Sequence, residues 1–426
     1  MNVNVYLKSG IRKMWWRIIP VVFIFYVISF LDRTNIGFAI PNIETSLHVS
    51  AAVLGLASGI FFIGYFIFEV PGTYYVEKIG AKTIIGIFLG GWGVFAALVG
   101  ISSNALELYF FRFMLGFMEG AFFPGVIYYL SLWFPLKHRA TATALFLLAI
   151  PTSEIIGAPL ASYLIVTFGW RYLFFVEGGL AIIAAAFVPF VLTNRINDAK
   201  WLTREEKAAL LDEFNREMEE KKKIVKPTIF SALTNKRTIL LILTYFFLLI
   251  GVYAIAIWVP DILFLATKSG IVHTSYLVSL LWVVILISMI FNGWHSDRTM
   301  ERYYHTIIPF ILGVIGSIIA LTLIHSFIGL YIGLIIIGIG TQAGVAPFWT
   351  YPTRYLSSGM AAAAIGLINA FGGLGGFVGP YFIGYVESAT KSFALGYMLV
   401  LVSFILAIVT LSLLVHLDKK ESIIQR

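Results

Sequence analysis

Apolar residues run along this chain in blocks of 20 or more, separated by short polar punctuation. Twelve such blocks are read, at 17–40, 50–76, 83–102, 105–134, 140–168, 171–192, 238–266, 274–296, 304–325, 327–356, 359–389 and 392–417. Crossing the hydrocarbon of a bilayer takes about 20 helical residues, so each block predicts one membrane-spanning helix. A single long polar stretch, Asn194 to Arg237, divides six blocks from six. The expected fold class is all-α: a polytopic membrane protein with twelve transmembrane helices in two six-helix pseudo-symmetric halves. The expected divisions are an N-terminal bundle over 1–193, a cytoplasmic linker over 194–237 and a C-terminal bundle over 238–426.

Composition agrees, with 59% hydrophobic residues, 12% charged residues and a mean hydropathy of +0.91. Soluble domains are about one quarter charged. The formal charge of +8 does not imply a nucleic-acid partner, because the basic residues lie between the apolar blocks and not on one soluble face. Their distribution gives orientation instead. Taking alternate sides of the spans, 25 of the 30 Lys and Arg fall on one side, Arg171, Lys268 and Lys391 on the other, and Arg33 and Arg112 inside spans. Positive residues are retained in the cytoplasm, so both termini are expected there, in a multi-pass protein of the cell membrane. The basic start, Lys8 to Arg17, imitates a signal peptide, but its length and internal charges favour an uncleaved first span. The chain has no cysteine, which leaves no disulfide framework and no Cys-based metal site. Within the linker, Thr203 to Glu206 has capping-box spacing, and Leu202, Leu210, Leu211, Phe214 and Met218 share one helical face. A short helix at the cytoplasmic surface is expected, with Glu205, Glu206, Lys207, Asp212, Glu213 and Arg216 as its solvated face.

Charges inside spans are costly, about 2.5–3.5 kcal/mol each near the bilayer centre, and mark function. The first occur in Phe30 to Pro41, FLDRTNIGFAIP, where Asp32 and Arg33 interrupt the first block. Ending the span at Phe30 leaves Pro20 to Phe30, too short to cross, so the pair belongs within it. The second pair is Arg112 and Glu119 in the fourth block. Seven residues bring a helix within about 20° of two full turns and raise it about 10.5 Å, so both project from one face. The four charges sum to zero and are expected to satisfy one another when no substrate is bound, each carboxylate facing a guanidinium. An incoming carboxylate competes for an arginine, whose planar fork grips it with two parallel hydrogen bonds. The displaced acid then binds a proton. A structural salt-bridge network is the other reading, as is a snorkelling Arg112.

The two halves echo each other as internal repeats do. Glu77-Lys78 and Asp297-Arg298 stand at cytoplasmic ends of the second and eighth blocks, and WFPLKHRA (133–140) and YPTRYLSSGMAA (351–362) precede the fifth and eleventh. With GYFIFEVPG in the second block, RFMLGFMEGAFFPG in the fourth and LINAFGGLGGFVGPY in the eleventh, the chain resembles the major facilitator superfamily. Within it, the chain is similar to the anion:cation symporter family, above all to carriers of tartrate, hydroxyphenylacetate and related carboxylates. The resemblance implies that Asp32 and Glu119 are the protonation sites, that Arg33 and Arg112 couple and bind the anion, and that Asn369 hydrogen-bonds substrate.

The remaining polar groups are weighed beside these four. Glu69, four residues after Tyr65 on one face, is expected in a gate, and Tyr65 as a hydroxyl toward the substrate or as packing. Glu154 departs from the family pattern in its region, with a cavity role and an interhelical hydrogen bond both open, and Glu177 is expected to be structural. The second half has no mid-span Lys or Arg, so it offers neutral groups: Tyr253, Gln342, Trp349 and Asn369. Glu77, Asp297 and Arg298 are candidate gating charges. No phosphate loop, HExxH or GxSxG occurs, so no enzyme, cofactor or metal is expected. The reading is a proton-coupled importer of a small organic anion, expected as a monomer. The alternatives are an anion exchanger or uniporter of the same fold and a non-transporting sensor.

Overall fold

The computed structural model describes residues 3–221, 229–356 and 358–424, which are helical with no strand among them. Twelve helical spans in these residues are long and apolar enough to cross a membrane: Val5–Leu47, Ala51–Glu69, Ala81–Val99, Ala105–Trp133, Leu136–Phe168 and Trp170–Val191, then Lys236–Thr267, Ile271–Thr299, Tyr303–Thr322, Phe327–Phe348, Ala364–Thr390 and Ala394–Leu417. Six precede the polar stretch and six follow it, as expected from the pattern. In lipid the backbone must satisfy its own hydrogen bonds, which a helix does within one segment. Span one begins far earlier than residue 17, because the basic start continues its helix from Val3.

Several spans are interrupted, and proline chemistry explains three of the breaks. A proline removes one N–H and its ring collides with the carbonyl four residues before it. Pro124, Pro151 and Pro347 act on Gly120, Leu147 and Ala343, and the helices end at Glu119, Leu147 and Gln342. Span four therefore resumes at Phe122, span five at Ala149 and span ten at Val345. Span ten, read from sequence as one run over 327–356, is in fact three helical pieces, the last being Tyr351–Tyr355. Span one breaks at Asn35, between Val3–Thr34 and Ile36–Leu47. Asp32, Arg33 and Glu119 thus all stand at helix interruptions.

The first six spans meet the last six through close backbone approaches, on the side where span one ends and span two begins. A Cβ on Gly37 of span one would lie 2.2 Å from the carbonyl oxygen of Ile257 in span seven. One on Gly384 of span eleven would lie 2.3 Å from that of Ala51 in span two. On the same side Ser162 of span five and Ser275 of span eight hydrogen-bond at 3.0 Å. Only residues without side-chain bulk permit such contacts.

The opposite side carries the linker helix, Arg204–Lys221. Its capping box forms in both directions, with the Thr203 N–H donating to Glu206 at 2.9 Å and the Glu206 N–H to the Thr203 hydroxyl at 3.3 Å. The expectation of a wholly solvated charged face fails at Glu206. That side chain is buried and accepts from Ser9 and Lys13 of span one, each at 2.8 Å. Leu210 packs against Gly10, Arg139 pairs with Glu217 at 3.0 Å, and Trp133 stacks on Trp201. The helix is bolted to the first six spans because its apolar stripe faces the start of span one, which brings Glu206 along with it.

Candidate functional site

Arg33 is the centre of the buried polar layer. Its Nε donates to Glu119 Oε1 at 3.1 Å, one terminal nitrogen forms an ion pair with the same oxygen, and the other donates to the Tyr253 hydroxyl at 2.9 Å. The Ser29 hydroxyl adds a third contact to Glu119 Oε1 at 2.6 Å. Ser29 and Arg33 are one turn apart on span one, so both reach the last residue before the break in span four. The guanidinium also lies over the rings of Phe30, Phe61 and Tyr65, at 4.7, 5.4 and 5.2 Å from their centroids. Tyr65 therefore meets Arg33 through its ring. Tyr253 belongs to span seven, so one arginine ties the first six spans to the last six.

The expected quartet, each carboxylate facing a guanidinium, is realised only for Glu119 and Arg33. Asp32 Oδ2 instead accepts from the Trp92 indole at 3.0 Å, and Oδ1 has no hydrogen-bond partner. Arg112 gives its three hydrogen bonds to main-chain carbonyls: Asp32 at 3.0 Å, Arg33 at 3.2 Å and Ala57 at 3.3 Å. It is 0% exposed and does not snorkel. The seven-residue spacing did place Arg112 and Glu119 on the face toward span one. Span four runs antiparallel to span one, so Arg112 meets the backbone beside the Asn35 break while Glu119 meets side chains one turn nearer the linker side.

Two further carboxyls join this layer. Glu177, expected to be structural near the end of span six, is buried and accepts from the Asn35 side chain, with Oε2 unpartnered. Glu154 is 2% exposed, and its Oε1 has no partner. Trp92, Ser29, Asn35 and Glu177 were missed by sequence reasoning as members of the site. Ser29 was findable, being four residues before Arg33 and so on its face.

The remaining candidates lie elsewhere. Asn369 of span eleven donates its amide to Glu69 of span two, so in this conformation it is engaged by a protein carboxyl. Phe66 and Phe371 pack edge to face beside them, with centroids 5.2 Å apart. Trp349 belongs to an aromatic group with Tyr245 and Phe348. Asp297 pairs with Arg302 at 2.6 Å, and its neighbour Arg298 lies over the Trp294 ring. Adjacent helical residues point about 100° apart, which is why the sequence neighbours do not pair. The Glu77 side chain lies outside the described residues. Among the described residues no group of three or more His, Asp or Glu is placed to hold a metal.

The Major Facilitator Superfamily profile matches residues 22–380. A protein of Agrobacterium vitis named "Putative tartrate transporter" is 38% identical over 410 residues, covering 95% of this chain and 91% of its own length. The "Quinolone resistance transporter" of Acinetobacter baumannii is 31% identical, covering 97% of each chain. Among solved structures, the D-xylose-proton symporter superposes with a TM-score of 0.74 at 14% identity, covering 94% of this chain and 97% of its own, a likeness of fold. Twelve spans, buried charges at helix breaks and these near-full-length relatives converge: the chain belongs to the Major Facilitator Superfamily and is a membrane transporter, not an enzyme.

Proposed function

We propose that this transporter imports a small organic carboxylate together with protons by alternating access. In this reading residues 1–193 and 238–426 rock as two bundles about the linker 194–237, both termini face the cytoplasm, and the protein works as a monomer in the cell membrane. The supporting observation is the junction at Arg33, which is shared by Glu119 of the first six spans and Tyr253 of the last six. A carboxylate reaching Arg33 competes with Glu119 for the same donors. A bidentate anion that takes the Nε and terminal N–H edge now held by Glu119 loosens the Glu119 contact. Glu119, relieved of its counter-charge in a water-poor site, takes up a proton. Asp32, one residue away and held by Trp92, is the second proton carrier. Arg112 braces the backbone that presents both groups. The name "Putative tartrate transporter" of a similar protein supports the carboxylate class. The lopsided placement of Lys and Arg supports the orientation.

The test is uptake into proteoliposomes with an imposed proton gradient. Acid outside is expected to raise accumulation of a carried carboxylate, and Glu119→Gln is expected to abolish gradient-driven accumulation while sparing exchange. Uptake indifferent to the gradient, with full activity in Glu119→Gln, refutes proton coupling through this pair.

A further inference from the structure

Glu154 is a buried carboxyl without an assigned use. It lies on span five, where two neighbours fix its surroundings. The next residue, Ile155, offers its carbonyl to Ser279 of span eight at 2.9 Å, which places this turn against the last six spans. Gly157, one turn later on the face of Glu154, is so close to span one that an added Cβ would stand 2.5 Å from Leu31 and 3.2 Å from the Asn35 amide. The Thr34 side chain reaches the carboxyl, and Tyr253 of span seven, the residue that receives Arg33, is near enough to feel its charge. The Thr34 hydroxyl, whose 2.9 Å hydrogen bond goes to the carbonyl of Phe30, serves at most one oxygen of the carboxyl, and Oε1 has no partner. Glu154 therefore stands between the two sets of spans, within electrostatic reach of the Tyr253 that Arg33 touches, with one oxygen, Oε1, that no protein donor meets.

An unmet buried acceptor costs about 1–3 kcal/mol, which a ligand that supplies a donor recovers. We propose that Glu154 forms a second subsite, reading an O–H or N–H donor on the end of the substrate away from the carboxylate held by Arg33. The preferred substrate class is then a small monocarboxylate with a distal hydroxyl or ammonium. A dicarboxylate sets a second acceptor against Glu154 and needs an extra proton between the two carboxyls. The subsite rests on the carboxylate reading of Arg33 and narrows it.

The test measures ligand-induced thermal stabilisation of purified wild type, Glu154→Gln and Arg33→Lys with propionate, glycerate, β-alanine and tartrate. Glycerate carries the hydroxyl, β-alanine the ammonium, propionate neither, and tartrate the second carboxylate. Wild type is expected to bind glycerate or β-alanine about tenfold or more tightly than propionate, the equivalent of one charge-assisted hydrogen bond. Glu154→Gln is expected to lose most of that preference, to keep its affinity for propionate and to gain about tenfold for tartrate, while Arg33→Lys weakens all four. Unchanged propionate binding shows that the Glu154→Gln protein is folded. If all four bind through Arg33 with the same order of preference in wild type and Glu154→Gln, the subsite is overturned and the carboxylate reading stands. If none stabilises wild type, both fall.

Discussion

Arg112 and Arg33 are both buried arginines in the same polar layer, yet their contacts predict opposite failures. Arg112 braces two helices through three carbonyls, at 3.0, 3.2 and 3.3 Å. A lysine there keeps the charge, but one ammonium on a single stem holds about one of the three bonds. Two lost charge-assisted bonds at about 1.5–3 kcal/mol each amount to about 3–6 kcal/mol. At about 2–4 °C per kcal/mol for a unit the size of one six-helix bundle, Arg112→Lys should unfold about 6–24 °C below wild type. Any stabilisation by a bound carboxylate should persist in it. Arg33→Lys keeps an ammonium near Glu119 and loses mainly the Tyr253 contact, about 1.5–3 kcal/mol, for a fall of about 3–12 °C, half that of Arg112→Lys. Stabilisation by carboxylates should disappear in that variant. The assay is thermal unfolding in detergent, with and without ligand. An Arg112→Lys protein within about 2 °C of wild type that no longer responds to ligand would refute the strut and restore Arg112 as an anion-binding residue.

Two other outcomes follow from the contacts. The chain has no cysteine, and Ser162 and Ser275 bring their oxygens to 3.0 Å across the two sets of spans, so the double variant Ser162→Cys/Ser275→Cys should form a disulfide on oxidation. Alternating access requires that bridge to arrest uptake and a reductant to restore it, and uptake continuing through a fully bridged protein would defeat the rocking mechanism. At the linker helix, burial pushes the Glu206 carboxyl up, but hydrogen bonds from Lys13, the Thr203 N–H and Ser9 more than reverse this and hold it below its ordinary value of 4.5. Its contribution is therefore present above the unfolded value and is lost as pH falls through the lowered folded value. Because Lys13 is 41% exposed, Glu206→Gln should cost only about 1 kcal/mol at pH 7, with the deficit shrinking as pH falls below 4.5; faster amide exchange over Arg204–Lys221 reads it out, and a deficit independent of pH would show that charge plays no part.

The twelve spans were legible because the bilayer imposes one length and one solvent on every block, and the capping box was legible because its two bonds are local. The site was half legible, and the half that was missed has a common cause. Spacing on one helix told which residues share a face, so Arg112 and Glu119 were rightly aimed at span one. It carries no information on what the opposite face presents at each height. There Glu119 meets side chains, whereas Arg112 meets a stretch of main chain beside the Asn35 break, and a guanidinium bonds to carbonyls as readily as to carboxylates. The break itself has no proline four residues beyond it, where Ala39 stands, unlike the breaks that Pro124, Pro151 and Pro347 announce. Charge neutrality misled in the same way. Summing Asp32, Arg33, Arg112 and Glu119 to zero suggested a closed set, but the folded layer also gathers Glu154 and Glu177, which bring two carboxyls and no cation. A layer with more carboxyls than arginines has a use for protons and for ligand donors even before an anion arrives, whereas a balanced quartet takes a proton only once the anion displaces an acid. It is this surplus, visible only once spans five and six are laid against span one, that makes Glu154 a reader of substrate and not a spare acid.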